Sequence, residues 1–213
     1  MKPSVTEQFK AQNTKERIVL ESAILFAKRG FRDVTIKDIA AAVGIQTSSL
    51  YYYFDKKESI FEEIISNTCD MYRAYFKRLD KDMDKATCFQ DVLDGLFAEL
   101  LEVYEIYIYY CLCLITTEQF RDETARSTFN NDVMRIGIEN TKRVLDQCVE
   151  RGWVKPFNTE IHAISLMNNV IVGNIMRTHE DMKQETVYEP GKMYADLKEM
   201  ILNSVEVVEE EAY

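Results

Sequence analysis

The stretch from Val34 to Glu58 constrains this chain more than any other: Val-Thr-Ile-Lys-Asp-Ile-Ala-Ala-Ala-Val-Gly-Ile-Gln-Thr-Ser-Ser-Leu-Tyr-Tyr-Tyr-Phe-Asp-Lys-Lys-Glu has the layout of two short helices joined by a tight turn. Thr35 stands as an N-cap, Asp38 follows three residues later in the capping-box place, and Val34 and Ile39 have the spacing of a hydrophobic staple. Ile36, Ile39, Ala40 and Val43 form one apolar face, and Gly44 can take the left-handed conformation that ends the helix. The second helix, about Thr47 to Phe54, turns Leu50 and Phe54 inward and leaves Gln46, Thr47, Ser48, Ser49, Tyr51 and Tyr52 outward. Short polar side chains opening a helix fit a DNA major groove, so the segment reads as a helix-turn-helix.

The rest of the chain reads as helical too. With 213 residues, 46% of them apolar, only 3 Pro and 7 Gly, it can bury a continuous core, and its apolar residues recur every three to four positions. The spacing predicts an all-α protein of about nine helices: a three-helix head at residues 10–56 and a six-helix body at 57–213. The first helix starts at Asn13 or Thr14 and closes at Gly30. Asp55 is expected to cap a fourth helix running to about Leu79, with Asp80 to Lys85 as a charged connector. An apolar stretch from Phe89 to Ile115 breaks near Val103 to Glu105, and a long helix spans Glu118 to Arg151. Trp153 to Pro156 form a loop, Asn158 or Thr159 opens an eighth helix to about Thr178, and Pro190 opens a ninth that ends in the acidic run Glu209 to Glu211.

Net charge is informative only when split. The chain has 26 basic and 36 acidic residues, yet residues 10–60 carry nine basic against six acidic ones. An acidic body with a mildly basic head directs the head toward phosphate. No apolar run approaches the length of a membrane span, Ile106 to Ile115 being the nearest, and five Cys without metal-type spacing fit reduced thiols, so a cytoplasmic protein is expected. The only histidines, His162 and His179, lack metal spacing, and no phosphate loop or nucleophile elbow occurs. Neither enzyme activity nor a cofactor is expected, although a single reactive thiol among Cys111 and Cys113 stays open.

From Arg17 to about Ile64 the sequence resembles the DNA-binding domain of the tetracycline-repressor (TetR) family of bacterial regulators. The resemblance rests on Ile18, Leu25, Phe26, Ala27, Gly30 and Phe31, on Thr35, Ile39, Ala40, Val43 and Gly44, and on Leu50-Tyr51-Tyr52-Tyr53-Phe54 followed by Lys57-Glu58. The chain departs from the family at Thr47 and Ser48, where a Lys followed by Gly or Pro is frequent, and at Tyr53, where a His is frequent. The resemblance implies a dimeric, ligand-responsive regulator, expected to be a repressor, on a double-stranded palindromic operator. Thr35, Lys37 and Lys57 are then expected at phosphates, Gln46, Thr47, Ser48 and Ser49 near base edges, and Tyr51 and Tyr52 at the backbone or thymine methyls, while Tyr53 packs within the head.

The resemblance also implies a homodimer through the last two helices, residues 160–178 and 192–207. The eighth is apolar over more than one face, and Gly173 would let another backbone approach. A ligand pocket is implied in the body. Tyr104, Tyr107, Tyr109 and Tyr110, with Phe129, Asn130 and Met134, and with Asn168 or Asn169 in the eighth helix, would suit a mostly apolar small-molecule effector bearing a few polar groups. Tyr107, Tyr110, Asn130, Met134 and Asn168 are the candidate contacts. The alternative is a small-molecule-binding or interaction protein of the same fold without operator binding, favoured by Thr47 where a basic residue is frequent.

Overall fold

A computed structural model describes residues 13–101, 105–181 and 190–208. The helix break expected near Val103, Tyr104, the side chains of Tyr109 and His179, and the acidic end at Glu209 to Glu211 lie outside the described residues. Among the described residues there are nine helices and no strand: α1 (Thr14–Arg29), α2 (Ile36–Val43), α3 (Thr47–Tyr53), α4 (Lys57–Lys85), α5 (Phe89–Leu101), α6 (Glu105–Glu118), α7 (123–150), α8 (Thr159–Asp181) and α9 (Pro190–Ser204).

Local chemistry sets the ends of the first helices. Asn13 Oδ1 accepts from the Glu16 N–H at 3.0 Å to open α1, and Gly30 at φ 85° closes it. The Thr35–Asp38 capping box that opens α2 is complete. Gly44 ends α2 at φ 76°, and the Ile45 N–H reaches back to the Ala40 carbonyl at 2.9 Å while the Gly44 N–H reaches Ala41. That pairing satisfies the last carbonyls of α2 and reverses the chain within three residues.

Two boundaries differ from expectation. Asp55 does not cap α4: its carboxylate takes the Ser59 hydroxyl at 2.6 Å, and the N-cap is Lys56, which makes no side-chain cap bond. Nor do Asp80 to Lys85 form a connector, since α4 continues through them. Phe76, Leu79 and Met83 keep the helical spacing and are buried, and the intervening charges stay outside, Asp80 pairing with Arg143 at 2.5 Å.

The long stretch from Glu118 is likewise interrupted. α6 runs to Glu118, a turn follows, and Asp122 caps the next segment by accepting from the Ala125 N–H at 2.8 Å. α7 then comprises Glu123–Ser127, a π-helical segment Thr128–Arg135, and Ile136–Glu150. It closes at Arg151 and Gly152, the latter at φ 73°. α8 extends three residues beyond the expected end. The loop from Trp153 carries an isolated antiparallel bridge, Val154 opposite Val207, with the Val208 N–H bonded to the Trp153 carbonyl at 2.9 Å. The chain after α9 is thereby tied back to the start of α8. His162 on α8 adds a bond from its ring to Ser204 at 3.0 Å.

Two apolar clusters organise the interior. The body cluster gathers Tyr72, Phe76, Leu79 and Met83 of α4, Phe89, Leu93 and Phe97 of α5, Val144 and Leu145 of α7, Leu166 and Met167 of α8, and Tyr194, Leu197 and Ile201 of α9. The head cluster holds Ile18, Phe26, Ile39, Val43, Leu50 and Phe54, and it continues into Ile60, Phe61 and Ile64 of α4 and Tyr107, Cys111, Leu114 and Ile115 of α6. The spacing i, i+4, i+7, i+8 puts those four α6 residues on one stripe, and Leu112 falls on the opposite side, in the body cluster. α6 is apolar nearly all round because both clusters use it.

Gly173 also serves differently from expectation. The close neighbour there is a side chain of the same chain: a Cβ on Gly173 would lie 2.2 Å from the Tyr194 hydroxyl.

Candidate nucleic-acid interface

α1, α2 and α4 hold α3 against the head cluster through Leu50 and Phe54, both buried. Apart from the half-buried Thr47, the other α3 side chains are exposed. Gln46 caps the helix without a side-chain bond, Ser48 and Ser49 are exposed, and Thr47 is half-buried. Tyr51 is exposed, and Tyr52 is the most open of the three α3 tyrosines at 84%. Tyr53 does not pack within the head as expected. It is 38% exposed and stands edge-on to Tyr52, ring centroids 5.0 Å apart.

The surrounding polar side chains divide into those that build the head and those left open. Thr35 belongs to the first group: its hydroxyl and N–H both donate to the Asp38 carboxylate, at 2.6 and 2.7 Å. Those bonds, with Arg29 at 3.4 Å, hold the Asp38 carboxyl below the usual carboxylate range. Arg17 donates to the Val43 carbonyl at 2.6 Å, fixing the end of α2 to α1. Lys15 pairs with Glu63 at 2.6 Å. Lys37, in the first turn of α2, and Lys56, just before α4, are exposed.

Lys57 departs most from the sequence reading. Its ammonium is turned into the protein, donating to the carbonyls of Phe31 at 2.7 Å, Val34 at 2.8 Å and Arg32 at 3.4 Å, and lying 4.4 Å from the Phe31 ring centroid. A phosphate contact from the same atom would have to replace these bonds. The Phe31 N–H, in turn, donates to Oε1 of Glu118 at 3.2 Å, and that carboxylate is 4% exposed. Neither link was visible in the sequence, because the partners lie 26 and 87 positions apart. The one available signal was a carboxylate closing the apolar run of α6.

The five candidate ligand contacts are not brought together. Tyr107 and Tyr110 are buried toward the head: Tyr107 lies in the head cluster and the Lys28 ammonium sits 5.2 Å from the Tyr110 ring centroid. Asn130 is exposed on the π segment, and Asn168 is exposed on α8, whereas Asn169 bonds the Ser165 carbonyl at 2.8 Å. Met134 alone of the five packs against the body cluster. Burial pushes the thiols of Cys111 and Cys148 up to about 12 and raises the Tyr107 hydroxyl well above its usual range, so those two thiols stay protonated and poorly nucleophilic. Among the described residues no three His, Cys, Asp or Glu side chains gather as for a metal ion, and no helix is long and apolar enough to cross a membrane.

A two-helix motif braced on an all-helical body defines the class by fold, a helix-turn-helix protein. Residues 18–64 match the family model described as bacterial regulatory proteins, tetR family. The HTH-type transcriptional repressor KstR2 of Mycolicibacterium smegmatis is 34% identical over 91 residues, 43% of each chain. KstR2 of Mycobacterium tuberculosis is 28% identical over 145 residues, covering 68% of this chain and 71% of that one. The solved structure of the ketosteroid transcriptional regulator KstR2 of M. tuberculosis superposes with a TM-score of 0.70 at 21% identity, covering 93% of this chain and 98% of that one, which extends the likeness in fold across the body. Residues 18–64 thus carry the DNA-binding domain of the tetR family, and the body shares the fold of the solved KstR2 structure.

Proposed function

We propose that this protein is a dimeric repressor that binds a palindromic operator and is released from it by a small-molecule effector. The observation that carries the reading is the open face of α3, where Gln46, Ser48, Ser49, Tyr51 and Tyr52 stand clear of a head whose apolar side chains are buried. Gln46 can pair with adenine, the hydroxyls adapt to several base edges, and Lys37 and Lys56 flank them for phosphate. Thr35 and Lys57 are better used as braces. The naming of the KstR2 relatives as repressors supports repression over activation.

Dimerisation through α8 and α9 is supported by Ile161, Val172 and Met200, which are exposed on two helices whose other faces are in the body cluster. Asn168 lies on the same outer face of α8 and suits the dimer contact better than a pocket. Two heads on such a dimer would reach successive major grooves, roughly 34 to 36 Å apart. The effector is a mostly apolar molecule with a hydrogen-bonding group, in keeping with an aromatic body, and the M. tuberculosis structure is that of a ketosteroid regulator. Its binding would favour one tilt of α4 over another, a population shift set by the difference in affinity for the two states.

Fluorescence anisotropy with the intergenic DNA beside the protein's own gene, across a salt series, tests the reading. Sequence-selective binding that weakens with salt is expected, and Lys37→Ala should lower the salt slope by about one unit. Failure to bind any DNA at low salt would instead favour a small-molecule-binding protein of the same fold.

A further inference from the structure

The turn between α1 and α2 is held at one residue from three directions. Phe31 follows Gly30, which has a positive φ of 85°, and its ring is wedged between Phe26 of α1 and Phe61 of α4, with centroids 5.1 and 4.9 Å away. Its N–H points at Glu118 of α6 and its carbonyl at the Lys57 ammonium of α4. The anion meets the donor of that residue and the cation meets its acceptor, so both charges act favourably on the same stretch of main chain. Four residues further on, Thr35 starts α2, and α2 packs on α3.

From this we infer that Glu118 and Lys57 are positioning residues for DNA binding: the body, through the end of α6, sets where the reading head sits by gripping the main chain of Phe31. The inference rests on the DNA-binding function proposed above. It gives Glu118 a reason to be buried. A carboxylate almost wholly removed from water at the end of an apolar helix is costly unless it accepts a hydrogen bond, and the bond it accepts crosses from body to head. It also gives Lys57 a role different from a phosphate contact, since its donors are spent on three carbonyls of the turn. A shift of α6 would pull on Phe31 directly, in addition to whatever α4 transmits. Neither residue touches DNA in this scheme, and both act through the placement of α2 and α3.

The test uses the full chain and the DNA fragment that the wild type binds. Glu118→Ala should weaken binding by about tenfold with an unchanged salt slope, because a charge-assisted bond is lost and no phosphate contact is. Glu118→Gln keeps an acceptor oxygen and should stay within about twofold of wild type. Lys57→Met keeps the apolar stem over Phe31 but removes the donors, and should weaken binding, again with an unchanged slope. Equal affinity of Glu118→Ala and wild type would overturn the inference for Glu118. A slope lowered by about one unit in Lys57→Met would return its ammonium to phosphate.

Amide exchange at Phe31 supplies a readout that does not depend on whether Glu118→Ala folds. The wild-type amide should be protected and Glu118→Gln should keep that protection. An amide that exchanges as freely as an open turn in the wild type would exclude the grip. Wild-type protein that binds no DNA would instead refute the DNA-binding reading, leaving the amide measurement to decide the geometry alone.

Discussion

In the head, glycine is needed for the direction the chain takes; inside two helices of the body, it is needed for the room it leaves. Gly44 sits at φ 76° with open space around the position of a Cβ, so its role is to turn the chain. Gly137 and Gly173 sit inside helices, and a Cβ would come within 2.6 Å of the Met167 side chain at the first and 2.2 Å of the Tyr194 hydroxyl at the second. The head is short helices whose ends are fixed by caps and by long side chains reaching main-chain carbonyls, Arg17 to Val43 and Lys57 to Phe31. The body is long helices brought close by apolar area. Polar bonds to main chain fix a shape, whereas packed area fixes a volume. The DNA reading and effector response proposed above would call on these two kinds of construction.

The strongest way to break the contrast is at α6, which serves both clusters. Leu114→Ala removes a fully buried side chain from the head cluster on a helix that belongs to the body, and should cost about 2 to 5 kcal/mol. Thermal unfolding should stay a single transition at lower temperature. A split into two transitions would show that head and body unfold independently. Next in size is Gly173→Ala, where the added methyl must displace the buried Tyr194 ring, at about 1 to 3 kcal/mol. Tyr194→Phe in the same chain should restore part of the loss, and no restoration in a denaturant titration would argue that the collision lies elsewhere.

Gly44→Ala is smaller, about 1 kcal/mol, because the cost is conformational and there is space for the methyl. It should lower the denaturation midpoint without altering the salt slope of DNA binding. The smallest effect belongs to Asp38. Its carboxyl titrates below the ordinary 3.8, so its contribution is complete above that value and is lost as the pH falls through the lowered one. Helix content of the head should therefore decline on acidification below about pH 4, and Asp38→Asn should flatten that decline. An equal decline in both would remove Asp38 as the source.

The sequence conveyed the head well because its signals are local. Thr35 with Asp38, Gly44, and Leu50 with Phe54 act within a few residues of one another, and each holds in the structure. What escaped was everything decided at a distance. Lys57 stands at the start of a helix near the DNA face, which suggests phosphate, but carbonyls 23 to 26 positions earlier receive it. Tyr107 and Tyr110 are buried as an aromatic helix should be, yet Tyr107 joins the head cluster and Tyr110 lies beside Lys28 of α1. Asn130 falls in the π-helical segment, where each turn takes in an extra residue, so a 3.6-residue wheel drawn through α7 assigns the wrong face from there on.

The bridge between Val154 and Val207 has an optical consequence. Trp153, the one tryptophan of the chain, is flanked by Arg151, 4.9 Å from its ring, and its carbonyl receives the Val208 N–H from the chain beyond α9. Tryptophan emission is thus an intrinsic gauge of whether that terminal segment is docked, and it carries no direct signal from the helix-turn-helix, whose nearest aromatic reporters are tyrosines. Selective excitation of indole would follow the body alone, with tyrosine fluorescence left to report on the reading surface.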